Sequence, residues 1–220
     1  MKNKITTSFV IVLLYLIEIH NANAQLTGTK NIPGDYATLE NAINDLNTQG
    51  VGTGGVTLNL IASNPQTAPS GGYAITTLSG SASDQIIIEG NSNTITSFSP
   101  QTTGALNDAI FKIIGSDYVT IRNFVMQENS SNTNTSAGTN DMTEWGVALL
   151  YATTTDGAQN NRIQGNTISL NRMYQNTFGI YSNVRHSPTA VTTVADITAA
   201  SGSKSNLEIY GNNISNVNTE

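Results

Sequence analysis

Asp141 and Glu144 stand three residues apart in a polar stretch of a chain with only 15 acidic residues in 220. Glycoside hydrolysis needs two carboxyl groups roughly 5–10 Å apart, flanking the scissile bond. The same oxygens suit a hard cation, but calcium takes about six to eight of them and two side chains do not make a site. The spacing therefore supports solvated loop charges, with a carboxyl pair as the alternative. His186 beside Arg185 is the second candidate, and it is the one histidine beyond residue 24. The adjacent guanidinium is expected to lower the imidazole pKa by like charge. A catalytic base also needs an orienting partner, which the local sequence lacks, so an exposed loop pair is the simpler reading. Trp145, Tyr151, Tyr174 and Tyr181 carry flat rings able to stack on sugar faces, although packing in the core or at corners is the commoner use of such rings. Zinc-ligand spacings, a phosphate-cradling glycine loop and a nucleophile elbow are all missing from the sequence, so no catalytic residue, cofactor or metal is assigned.

The elements that must position these residues repeat. Ile88-Glu-Gly-Asn-Ser-Asn-Thr-Ile95, Ile163-Gln-Gly-Asn-Thr-Ile168 and Ile209-Tyr-Gly-Asn-Asn-Ile214 each bracket a Gly-Asn corner with apolar residues. Between them lie Gly-apolar strands, Trp145-Gly-Val-Ala-Leu149 and Phe178-Gly-Ile-Tyr181. One such unit cannot bury its apolar side chains alone and must stack on a neighbour. The expected fold is therefore an all-β right-handed parallel β-helix. Ile88, Ile121, Ile163 and Ile209 are 33, 42 and 46 residues apart, longer than one compact coil. The excess is assigned to polar insertions at 127–144, 152–161 and 182–205, which emerge at corners and leave the ladder untouched. At the corners, Gly90, Gly165 and Gly211 suit a tight bend, and Asn91, Asn166 and Asn212 are expected to form a structural ladder.

Asp35 is expected to cap an amphipathic helix over about 36–48, with Leu39, Ala42, Ile43 and Leu46 on one face and Gly50 as the stop. Its place is a lid on the first coil. The organisation is then a leader at 1–24, a cap at 25–54 and coils over 55–220, with 63–73 as a loop. The leader has Lys2 and Lys4, an apolar run from Phe9 to Ile17, and Ala22-Asn-Ala24 in the form of a cleavage site. That run is about half of what a bilayer span needs, so a secretory signal cut between Ala24 and Gln25 is expected, with no membrane anchor afterwards. The chain has no cysteine, so export leaves packing and backbone ladders, not disulfides, to hold the fold. A net charge of −6 argues against a nucleic-acid partner, which would need a basic stripe.

Ile32-Pro-Gly-Asp-Tyr-Ala-Thr-Leu-Glu-Asn-Ala-Ile43 resembles the opening of pectin-lyase-like β-helices, in which an amphipathic helix covers the first coil. With Gly54-Gly-Val-Thr-Leu-Asn-Leu60 and the corner repeats, the resemblance extends to the N-terminal region of large exported bacterial proteins of the type IX secretion kind, over residues 28–218. It implies a secreted or cell-surface location and a sorting domain beyond Glu220, so the chain is expected to be the first part of a longer protein. The catalytic motifs of pectin methylesterases, polygalacturonases and pectate lyases are absent from the sequence. The expected function is a non-catalytic scaffold or adhesive module that contacts polysaccharide or cell-surface glycan. The alternatives are a polysaccharide lyase or hydrolase with its active coils further on, and a self-associating surface-layer component.

Overall fold

The computed structural model describes residues 25–77, 80–104, 106–187 and 193–218. The expected signal segment and Ala24 lie outside the described residues, while Gln25 is the first residue within them. The chain winds through three all-parallel sheets, each taking every third strand from β2 onward, with β1 added at the edge of the first. Sheet A holds β1 (Leu26–Ile32), β2 (Val51–Leu60), β5 (Ile86–Glu89), β8 (Val119–Arg122), β11 (Arg162–Gln164) and β14 (Glu208–Tyr210). Sheet B holds β3 (Gln66–Thr67), β6 (Thr94–Thr96), β9 (Val125–Gln127), β12 (Thr167–Ser169) and β15 (Asn213–Ser215). Sheet C holds β4 (Tyr73–Ile75), β7 (Ala109–Ile114), β10 (Trp145–Leu150) and β13 (Phe178–Ser182). A parallel β-helix is therefore the architecture, and the segment expected as loop at 63–73 contains β3 and reaches β4.

Aliphatic residues occupy the same inward place on successive rungs. Leu58, Ile88, Ile121 and Ile163 are in register on sheet A and fully buried. Ile95, Met126 and Ile168 do the same on sheet B. Because each rung contributes only a few side chains, the column is stable as a stack and not coil by coil.

Helix α1 (Leu39–Gln49) closes the first coil, burying Leu39, Ala42, Ile43 and Leu46 as the sequence pattern requires. It begins later than expected and its cap is Thr38, whose hydroxyl accepts the Asn41 backbone N–H at 3.2 Å. Asp35 is not the cap, because its carboxylate accepts the Asn31 N–H at 2.7 Å and holds the preceding turn. Asn47 finishes the lid: its amide donates to the Ala74 carbonyl and accepts from the Thr76 N–H, satisfying the edge of β4.

At the corner between sheets A and B the stacked asparagines run in two files. Asn166 accepts the Phe124 N–H and donates to the Ile121 carbonyl and to Asn212, which in turn donates to the Ile163 carbonyl. Two coils earlier the same role falls to Asn93, bonded to Leu60, Ile61 and Gly90 carbonyls, and below it Asn64 donates its N–H to Asn93. Asn91 stands in a second, exposed file: its amide donates to Asn59 Oδ1 and to the Leu60 carbonyl, and Asn59 donates to Asn31, while the two extra residues of the Gly-Asn-Ser-Asn corner turn with φ of 46° at Asn91 and 62° at Ser92. Gly165 and Gly211 take the left-handed bend at 64° and 65°, and Asn123 takes it one coil before Gly165 at 60°. Gly90 is held to glycine by crowding instead: a Cβ there would lie 2.6 Å from the Phe124 ring and the Asn123 carbonyl.

Candidate functional site

Two surfaces of the helix gather the residues with chemistry. The first lies outside sheet C. Trp145 is in register with Ala109 below and Phe178 above, and it stacks on Tyr181 with ring centres 4.6 Å apart and 11° between planes. Phe178 meets Tyr181 edge-on at 5.4 Å, and Trp145, Ala148, Leu150 and Tyr181 form a second apolar cluster separate from the column. Trp145 and Tyr181 thus spend their faces on each other. Tyr174 is buried, and Tyr151 is covered by the Lys204 ammonium 4.2 Å above its ring centre. None of the four candidate rings offers a free face for sugar stacking. Lys204 also donates to the Leu149 and Asn183 carbonyls, pinning the 182–205 insertion to the end of β10. Burial pulls its pKa down to about 7, while the two carbonyls and the tyrosine face favour the charged form and oppose that pull.

Glu144 does not pair with Asp141. Asp141 accepts the Asn134 N–H at 2.8 Å and closes its own loop. Glu144 is fully buried, and its neighbour is Asp108, one rung below and 36 residues away, whose backbone N–H donates to Glu144 Oε2 at 2.8 Å. Asp108 Oδ2 accepts the Thr102 N–H, while Asp108 Oδ1 and Glu144 Oε1 have no hydrogen-bond partner. Burial raises the Glu144 pKa to about 8, with the Asp108 charge adding to the rise and the Asp108 N–H and Tyr174 hydroxyl opposing it. Burial raises Asp108 as well. Two like charges so placed cannot both ionise cheaply, so at neutral pH the pair keeps a proton. This pair was invisible along the chain because coil length, not local spacing, brings it together.

Glu128 is the hub of the 127–144 loop. It accepts from Ser97 Oγ, Asn132 Nδ2 and both the N–H and hydroxyl of Thr143, tying that loop to the preceding coil. A cleft of about 380 Å³ beside the sheet C cluster is lined mainly by Leu106, Ile114 and Leu150, with Lys112 and His186 at its rim. His186 is exposed, as expected, and its Nδ1 lies 2.8 Å from the Tyr181 hydroxyl. Its pKa is lowered first by burial and then by Arg185, so like charge is the lesser cause. No carboxylate orients the ring among the described residues.

The second surface lies outside sheet A, where two rows of polar residues run up the rungs. Thr120, Arg162 and Glu208 form one row, and Glu89, Arg122, Gln164 and Tyr210 form the other. Glu89 binds Arg122 Nε at 2.5 Å and Asn123 Nδ2 at 3.0 Å, and Arg162 binds Glu208 at 2.6 Å. Along the edge of the first row stands the corner column Gln85, Tyr118, Asn160 and Asn206. Tyr118, Asn160 and Asn206 all have left-handed backbone, at 56°, 55° and 57°. Asparagine tolerates that region, whereas for a bulky side chain it costs about 1–3 kcal/mol. Corner column and first row enclose an open groove of about 160 Å³ lined by Tyr118, Asn160, Arg162, Asn206 and Glu208 among others. Nothing local in the sequence marks this column, because Tyr118 directly precedes the apolar residues of β8 and resembles an ordinary first residue of a strand.

Among the described residues, no cluster of three or more His, Asp, Glu or Cys is arranged to hold a metal, and no helix is long and apolar enough to cross a membrane. Comparison of the chain with protein families, with curated proteins and with solved structures returns no match.

Proposed function

We propose that this chain is an exported β-helix domain, a rigid scaffold and glycan-contacting module of a larger secreted or cell-surface protein, akin to the pectin-lyase-like β-helices. The observation that carries the scaffold reading is the way its loops are held. Glu128, Asn93, Asn166 and Lys204 each bond groups one coil away, so polar side chains that a catalyst would turn towards substrate are spent on joining coils. Loops fixed in this way present a constant surface at little entropic cost on binding. The glycan part draws on the planar amides, Arg162 and Glu208 along sheet A, side chains whose geometry suits hydroxyl groups. The test is incubation of the purified chain with pectin, polygalacturonate and neutral polysaccharides: binding without chain cleavage or methanol release is expected, and depolymerisation of any of them would refute the non-catalytic assignment.

A second reading has one observation in its favour. A carboxylic acid kept protonated at neutral pH, as Glu144 is beside Asp108, is what a general acid in a glycoside hydrolase or lyase requires. Both side chains are at most 1% exposed, so no substrate reaches them without opening the sheet C cluster. Loss of a measured depolymerising activity in Glu144→Gln, with the fold intact, would favour this reading over the first.

A further inference from the structure

The groove outside sheet A holds a feature that folding alone does not explain. At the rung-to-rung corner where the last two coils place Asn160 and Asn206 in left-handed backbone, the middle coil places Tyr118. A bulky residue in that conformation is an outlier, and such outliers persist where the surroundings hold them for a purpose. Tyr118 is half-buried, its ring forms one wall of the groove, and its hydroxyl makes no hydrogen bond among the described residues. Facing it are planar polar groups already fixed in place: Asn206 Nδ2 donates to Asn160 Oδ1 at 2.8 Å, and Arg162 is held by Glu208.

We infer that this groove is a binding subsite for a neutral sugar unit of a polysaccharide, with Tyr118 as the platform for the ring and the Asn160, Asn206, Arg162 and Glu208 side chains as partners for its hydroxyls. The inference rests on the glycan-contacting reading above and places that contact on sheet A. The neutrality follows from charge: Arg162 and Glu208 cancel one another, and Arg122 nearby is taken by Glu89, so no unpaired cation is left for a uronate. The amides and the carboxylate supply both donors and acceptors, which matches hydroxyls that do the same. Tyr118 is already half-buried in the groove lining, so less freedom is lost when a sugar stacks on it than on a fully exposed ring.

Isothermal titration calorimetry with cellohexaose, xylohexaose and mannohexaose, and with trigalacturonate as the anionic comparison, tests this on the wild-type chain and on Tyr118→Asn. Asparagine is the residue the neighbouring coils use, so the variant should fold with an unchanged or raised melting temperature. At least one neutral hexasaccharide should bind the wild type, and Tyr118→Asn should weaken it about tenfold. Asn206→Gly, which keeps the backbone conformation and removes the amide, should weaken it too and covers the case in which Tyr118→Asn misfolds. A neutral ligand held equally well by the variants would refute this subsite and leave the glycan reading standing. Binding of trigalacturonate alone would refute the neutral assignment, and a wild type that binds no oligosaccharide would refute both readings.

Discussion

On sheet C, Trp145 is 1% exposed against Tyr181, whereas on sheet A the outward side chains of Arg162 and Glu208 keep 41% and 53% of their surface in solvent. Both faces are carried by the same parallel ladders and the same short strands. What differs is the insertion that follows each corner. After sheet C the chain returns over its own outer cluster, where His186 meets Trp145 and Tyr181 and Lys204 is bonded to the end of β10, while the corners between sheets A and B stay short and leave the rows on sheet A open. A β-helix can thus close one face for stability and keep another for contact without changing its core.

The largest effects that would break this contrast lie on sheet C. Trp145→Ala removes the centre of the outer cluster and should cost about 3–5 kcal/mol, read by chemical denaturation. Since Trp145 is the single tryptophan, its emission also reports the face directly. Slow quenching by acrylamide is expected, and fast quenching would mean that the face is open.

The buried acids give a pH dependence of unusual sign. Glu144 has a folded pKa of about 8 against 4.5 unfolded, so between those values the folded chain holds the extra proton and stability falls as pH rises. The loss should be on the order of 4 kcal/mol from pH 5 to pH 8, with Asp108 acting in the same direction. Glu144→Gln should flatten the profile. A chain that instead gains stability through this window would show that both acids ionise freely.

A smaller loss is expected at the asparagine column. Asn166→Ala leaves the Phe124 N–H and the Ile121 carbonyl unpaired in the interior and should cost about 2–3 kcal/mol. Asn91→Ala, which loses bonds from the exposed file, should cost less than Asn93→Ala, and equal costs would show that burial of the amide does not matter. On sheet A the effects shrink further. Arg162→Ala breaks an exposed pair and should change stability by about 1 kcal/mol at most, while any effect on ligand should be larger.

The fold was legible because apolar residues repeat: Ile88, Ile121 and Ile163, all buried, and Ile209 on the last rung are in register, and the helix stripe from Leu39 to Leu46 marks the lid. The corner was legible in kind, but not that two extra residues would add Asn93 as the buried amide and leave Asn91 on the exposed file. The chemistry was less legible. Asp108 and Glu144 meet only because a coil of 36 residues brings one above the other, and insertions make that length different in every coil. The rings at Trp145 and Tyr181 were visible as residues, yet whether they face solvent or each other depends on an insertion folding back over them.

The division of labour between the faces is tested most directly by amide chemical-shift mapping of the isotope-labelled chain during titration with a neutral hexasaccharide such as cellohexaose. Shifts confined to Tyr118, Asn160, Arg162 and Asn206 are predicted, with Lys112, Leu150 and His186 unmoved. Shifts centred on Lys112 and His186, with the Tyr118 corner silent, would contradict it.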